Sequence, residues 1–103
     1  MNFAKQLISE LSDASNKDRS LDPFDFPEET SLEDNQRVEP ICSTYTNRNM
    51  VNIYKVEDGV NSIFYIYSIH GDGGIVLGFG GPFASLDAAK DKFGNVKEGW
   101  TFF

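Results

Sequence analysis

A chain of 103 residues has room for one domain with a single modest core. Nine Lys and Arg stand against sixteen Asp and Glu, a formal charge of −7 that repels nucleic acid and anionic membrane and attracts basic partners. One cysteine, Cys42, excludes an intramolecular disulfide, and no window reaches the roughly 18 apolar residues a membrane helix requires.

The opening MNFAKQLISEL has a Glu at position 10 and no long apolar run, so it does not read as a signal peptide. A cytoplasmic, reducing setting is the resulting expectation. Phe3, Leu7, Ile8 and Leu11 share one helical face, with Lys5, Gln6 and Glu10 opposite. This predicts a short amphipathic helix over 3–11, with Ser12-Asp13 opening its exit loop. About ten residues make a marginal helix alone, so it must dock on the rest of the fold.

Residues 20–40, SLDPFDFPEETSLEDNQRVEP, hold three prolines and no sustained period. Asp22, Asp25, Glu28, Glu29, Glu33, Asp34 and Glu39 are opposed there by Arg37 alone. Residues 1–40 carry a net −6 and residues 41–103 a net −1, so the imbalance sits in this front segment. Pro27 with Glu28 and Glu29 has the composition of an opening helical turn. Phe24 and Phe26 alternate with acids. Pinning the arm to the core is the favoured role for both rings, because exposed Phe is an association liability; anchoring a partner is the competing role.

From Pro40 the composition becomes strand-like. Ile41 to Thr46 reads as an edge strand ending in Asn47-Arg48-Asn49. Val51–Val56, Ile63–Tyr67 and Ile75–Phe79 supply three more strands, with glycine turns at Asp58-Gly59 and Gly71-Asp72-Gly73-Gly74 between them. Ile63–Tyr67 is apolar or aromatic at every position, which suits an inner strand covered on both sides or a face lined by tyrosine. Ser85 as N-cap, Asp87 in the first turn, Lys90 and Lys92 near the end and Gly94 as stop predict a helix over 85–93. Its face Leu86, Ala89, Phe93 should pack on the sheet. The ending Gly-Trp-Thr-Phe-Phe suggests a last strand at an edge.

Chemistry is sparse. His70 beside Asp72 has the residue types of a base and its orienting carboxylate, but no nucleophile accompanies them in sequence. Cys42 has no basic neighbour and reads as an inert thiol. One His and one Cys do not make a zinc set, and the acids lack the spacing of a calcium loop, so neither metal nor cofactor is expected. The run GDGGIVLGFGGP has neither G-x-G-x-x-G nor Lys-Ser/Thr; hairpin turns account for Gly71, Gly73 and Gly74, and a loop before the helix for Gly80 and Gly81.

Over about 50 residues the second half resembles a WGR domain, a small sheet-plus-helix module associated with nucleic-acid enzymes. Tyr65 and Tyr67, a glycine turn, Phe83-x-Ser85-Leu86-x-x-Ala89 and Gly99-Trp100 carry the resemblance. Ser68-Ile69-His70-Gly71 stands near the place of the Trp-Gly-Arg, the helix is short, and a basic surface is absent. The resemblance implies a helix laid on a meander, without the family's function.

The reading that results is a single α+β domain over 1–103. It comprises a helix and acidic arm (1–40), then an antiparallel meander of four to five strands with one or two short helices on one face (41–103). It is expected to be a non-enzymatic, cofactor-free binding protein: a small inhibitor, immunity or anti-defence protein. Its partner would be a basic protein, a nuclease or other nucleic-acid-handling enzyme, with no direct contact to nucleic acid or membrane. Asp22, Phe24, Asp25, Phe26, Glu28, Glu29, Glu33 and Asp34 would form the partner-binding site. The alternative is an accessory sheet domain that binds protein through an edge or aromatic face, its acids serving solubility alone.

Overall fold

The computed structural model describes residues 3–24, 26, 27, 32–96 and 99–103. Helix α1 (Phe3–Asn16) precedes strands β1 (Gln36–Thr46), β2 (Asn49–Asp58), β3 (Ser62–His70) and β4 (Val76–Phe83). Helix α2 (Leu86–Asp91) and strand β5 (Thr101–Phe102) follow. The strands form one antiparallel sheet in the order β4-β3-β2-β1-β5, so the domain is α+β, a four-strand meander extended by its last strand.

Strand parity explains the layering. Successive side chains of a strand point to opposite faces. On one face Tyr54 pairs with Ile66 and Val56 with Phe64 across β2 and β3; on the other, Ile53 pairs with Tyr67. Phe3, Leu7 and Leu11 of α1 pack with Tyr54, Val56 and Ile66, whereas Leu86 and Ala89 of α2 and Phe93 just beyond it pack with Ile53 and Tyr67. The two helices therefore take opposite faces of the sheet instead of sharing one. The reason is that both rows of the β2–β3 ladder are apolar and each needs cover. This also accounts for the unbroken apolar run in β3, an inner strand.

Helix α1 continues past Leu11 to Asn16 because Ala14, three residues on, falls on the same stripe and is buried. Strand β1 begins at Gln36, not Ile41, and pairs with β2 through Pro40 until the register shifts between Pro40 and Cys42. Proline has no N–H to give the ladder, which fits a bulge there. β1 is a free edge only in part, since Thr101 and Phe102 pair with Ser43 and Cys42, and Phe103 N–H donates to the Ile41 carbonyl at 3.0 Å.

β4 runs on through Gly80 and Gly81 to Phe83, where the sequence suggested a loop. A Cβ on Gly80 would lie 2.6 Å from the Tyr67 ring, so the glycine there makes room for that ring. α2 is capped as expected: the Ser85 hydroxyl accepts the Ala88 N–H at 3.1 Å. Helical residues stop at Asp91, yet Phe93 still meets Tyr67 edge-on at 4.8 Å. No described helix is long and apolar enough to cross a membrane.

The two arm phenylalanines take different roles. Phe26 is 3% exposed and meets Tyr54 edge-on, ring centroids 5.4 Å apart; Phe24 is 52% exposed. Phe26→Ala should therefore cost about 3–5 kcal/mol of unfolding free energy, and Phe24→Ala about 1 kcal/mol or less. Urea denaturation of the two variants checks the difference.

Candidate functional site

The arm lies along the α1 face of the sheet. At its start Ser20 bridges to Ile75, the Ser20 hydroxyl donates to the Gly73 carbonyl at 2.5 Å, and Leu21 N–H donates to the Gly74 carbonyl at 3.0 Å. Leu21, Phe26 and Leu32 then pack into the α1-side core. At its end the Asn35 carbonyl accepts the Gly59 N–H at 2.9 Å. The arm thus runs from the β3–β4 turn to the β2–β3 hairpin, the full length of nine-residue β3, roughly 26 Å at strand rise.

The residues expected to bind a partner separate along this path. Asp22, Phe24, Glu33 and Asp34 are exposed, and Phe26 is in the core. Asp25, Glu28 and Glu29, with the helical turn expected after Pro27, lie outside the described residues. The Asp22 carboxylate accepts the Phe24 N–H at 2.9 Å, a local turn that sets the direction of Phe24. Asp22 stands at one end of β3 and Glu33 with Asp34 at the other, so these acids form two groups and not one cluster.

Their charge is unmatched within the described residues. Lys17 and Arg19 both reach Asp13, at 3.1 and 2.8 Å, and Lys55 reaches Glu57 at 3.5 Å. Among the described residues no Lys or Arg forms an ion pair with Asp22, Glu33 or Asp34.

An aromatic edge adjoins Asp22. Phe24 meets Phe103 edge-on, centroids 5.3 Å apart, and Phe103 is itself 59% exposed. Pro23 and exposed Tyr45 line a neighbouring recess of about 300 Å3 with Arg48, Met50 and His70. Phe102, on the opposite face, lies under the Lys90 ammonium at 5.4 Å.

Beneath the arm runs a buried polar row that the sequence reading did not find. The Tyr54 hydroxyl is 3.1 Å from the Ser68 hydroxyl, Ser68 is 2.8 Å from His70 Nε2, and His70 Nδ1 is 3.3 Å from the Gly74 carbonyl. A carbonyl only accepts, so Nδ1 carries the proton of the neutral ring; Nε2 accepts from Ser68, and Ser68 from Tyr54. Burial holds the His70 pKa below its ordinary value, against the pull of the Gly74 and Leu21 backbone and the Asp22 carboxylate. Burial likewise pushes the Tyr54 phenol up. Asn52, in register with Ser43 and Ser68, is fully buried with no partner for its amide among the described residues.

The signal was Ser68-x-His70, two residues that a strand places on one face. Asp72, the carboxylate expected beside His70, sits exposed in the turn while His70 bonds Ser68 and Gly74. Ser68 is fully buried, so its hydroxyl is out of reach of a substrate, and the row reads as a satisfied core network. Cys42 is buried too; burial pushes its thiol up, partly offset by Lys90, which leaves little thiolate. Among the described residues no three His, Cys, Asp or Glu are grouped to hold a metal ion.

No family model matches the chain, and neither a curated protein nor a solved structure is significantly similar to it. The likeness to a WGR domain accordingly rests on layout alone. Ser68→Ala should leave the Tyr54 hydroxyl and His70 Nε2 buried without a partner and destabilise the fold by about 1–3 kcal/mol. Equilibrium denaturation at pH 7.5 measures it.

Proposed function

We propose that this chain is a non-enzymatic acidic binding protein that blocks the basic, nucleic-acid-binding site of a partner enzyme, as a small inhibitor, immunity or anti-defence protein does. The observation that carries this reading is the set of exposed arm carboxylates, Asp22, Glu33 and Asp34, that have no ion-pair partner among the described residues, where Lys17 and Arg19 are engaged by Asp13 and Lys55 by Glu57. A Lys- or Arg-lined groove built for phosphates responds to the charge and spacing of its ligand, and a carboxylate satisfies the same donors. The arm's length suits a groove more than a point contact. Half-exposed Phe24, set edge-on against Phe103, would supply the apolar anchor that a ring of charge alone lacks.

A second reading has its own support. Phe24 meets Phe103 beside the β1 edge, which the terminal segment pairs from Ile41 to Ser43, and exposed Tyr45 follows further along that strand. An accessory domain that docks protein through this aromatic edge would use the acids for solubility only.

The test is a partner captured from lysate and then titrated with variants. The combined Asp22→Asn, Glu33→Gln, Asp34→Asn variant should bind at least tenfold more weakly, with a flatter salt dependence, and duplex DNA should compete with the parent protein. An unchanged affinity in that variant, with loss in Phe24→Ala, would transfer the assignment to the aromatic edge. No loss in either variant sinks both readings.

A further inference from the structure

The start of the arm is held by the turn that also holds His70. The Gly74 carbonyl accepts Leu21 N–H at 3.0 Å and faces His70 Nδ1 at 3.3 Å, while the Ser20 hydroxyl closes on Gly73. Arm and imidazole thus converge on a single acceptor. We propose that this clasp is an acid-released latch: protonation of His70 frees the Ser20–Phe24 stretch of the arm from the β3–β4 turn.

The mechanism lies in the direction of the hydrogen bonds. In the neutral ring Nε2 accepts the Ser68 hydroxyl, which accepts from Tyr54 in turn. A second proton makes Nε2 a donor. Ser68 must then turn its hydrogen toward Tyr54, and the phenol loses its acceptor. Among the described residues Ser68 is the one hydrogen-bond partner of the Tyr54 hydroxyl. The ring is 3% exposed, so water does not solvate the new charge while the clasp is shut.

Other charged or titratable groups face the same place. Asp22 on the arm favours the charged ring. Arg48 of the β1–β2 turn, Tyr45 of β1 and Asp72 of the β3–β4 turn line the recess that His70 walls; Arg48 opposes the charge and Asp72 favours it. Lys17 and Arg19, where the chain leaves α1, are both taken by Asp13. Burial outweighs these and keeps the folded ring neutral below the ordinary pH for histidine.

The sign follows from linkage. Above about pH 6.5 neither state binds the proton, and the clasp has its full strength. As pH falls below that value the open state takes up the proton first, so the open-to-closed ratio rises by up to about tenfold per pH unit until the clasped ring itself titrates. Opening would part Phe24 from Phe103 and move Asp22. That consequence for partner binding rests on the function proposed above, whereas the latch is a property of the chain alone.

Amide hydrogen exchange by NMR tests it on the whole protein without a partner, between pH 7.5 and 5.0, with the His70 ring signals followed in parallel. Protection of the Leu21 amide, corrected for intrinsic exchange, should fall by up to tenfold per unit below pH 6.5, and more steeply than at Val56 in the central ladder. His70 should titrate below 6.5. Constant Leu21 protection, an equal fall at Leu21 and Val56, or a His70 midpoint at or above 6.5 overturns the latch. His70→Gln should flatten the Leu21 profile; if it does not fold, the parent protein decides. With no partner present, failure here leaves the proposed binding untouched, and failure of binding leaves the latch untouched.

Discussion

The ladder between β2 and β3 is apolar on both sides, and covering it organises the remaining chain. Tyr54 with Ile66 looks one way and Ile53 with Tyr67 the other, in adjacent rows. Leaving either row wet would forfeit about 25 cal/mol for each Å2 of apolar surface. Helix α1 covers part of the first row and the arm completes it with Phe26 and Leu32. Helix α2, Phe93 and Trp100 cover the second. The arm is thus part of the core wall as well as a carrier of charge.

This dual role divides the arm residue by residue. Phe26 is spent on packing, and Phe24 two positions along is left half in solvent against Phe103. The acids follow the same division. Asp13 holds two cations where α1 gives way to the arm, while Asp22, Glu33 and Asp34 project without a counter-ion among the described residues. An anionic segment anchored by its rings keeps its carboxylates at set positions, which matters for any partner that senses spacing as well as sign.

The polar row sets a different condition at one end of the ladder. Tyr54, Ser68 and His70 are buried and bonded in a row, while Asn52, in register with Ser68, has no partner for its amide among the described residues. Buried polar groups of this kind stabilise little when satisfied and cost much when one member changes. Here the last member shares its acceptor with the arm, so the seating of one imidazole and the seating of a distant segment of chain draw on the same carbonyl.

Local chemistry sufficed for much of the architecture. Glycine turns between β-branched and aromatic runs declare an antiparallel meander, and Ser85, Asp87 and Lys90 mark α2, because turn angles and caps are satisfied within a few residues. The concentration of acid before residue 41 needs no coordinates at all. What required the tertiary structure were the relations set by parity and register across strands. Those are the helices on opposite faces, the early start of β1, the split between Phe24 and Phe26, and the meeting of Ser68 with Tyr54 and of His70 with Gly74. A one-residue change of register would turn the strand residues among them, Tyr54, Ser68 and His70, to the other face, and that register is set by the packing of the whole sheet.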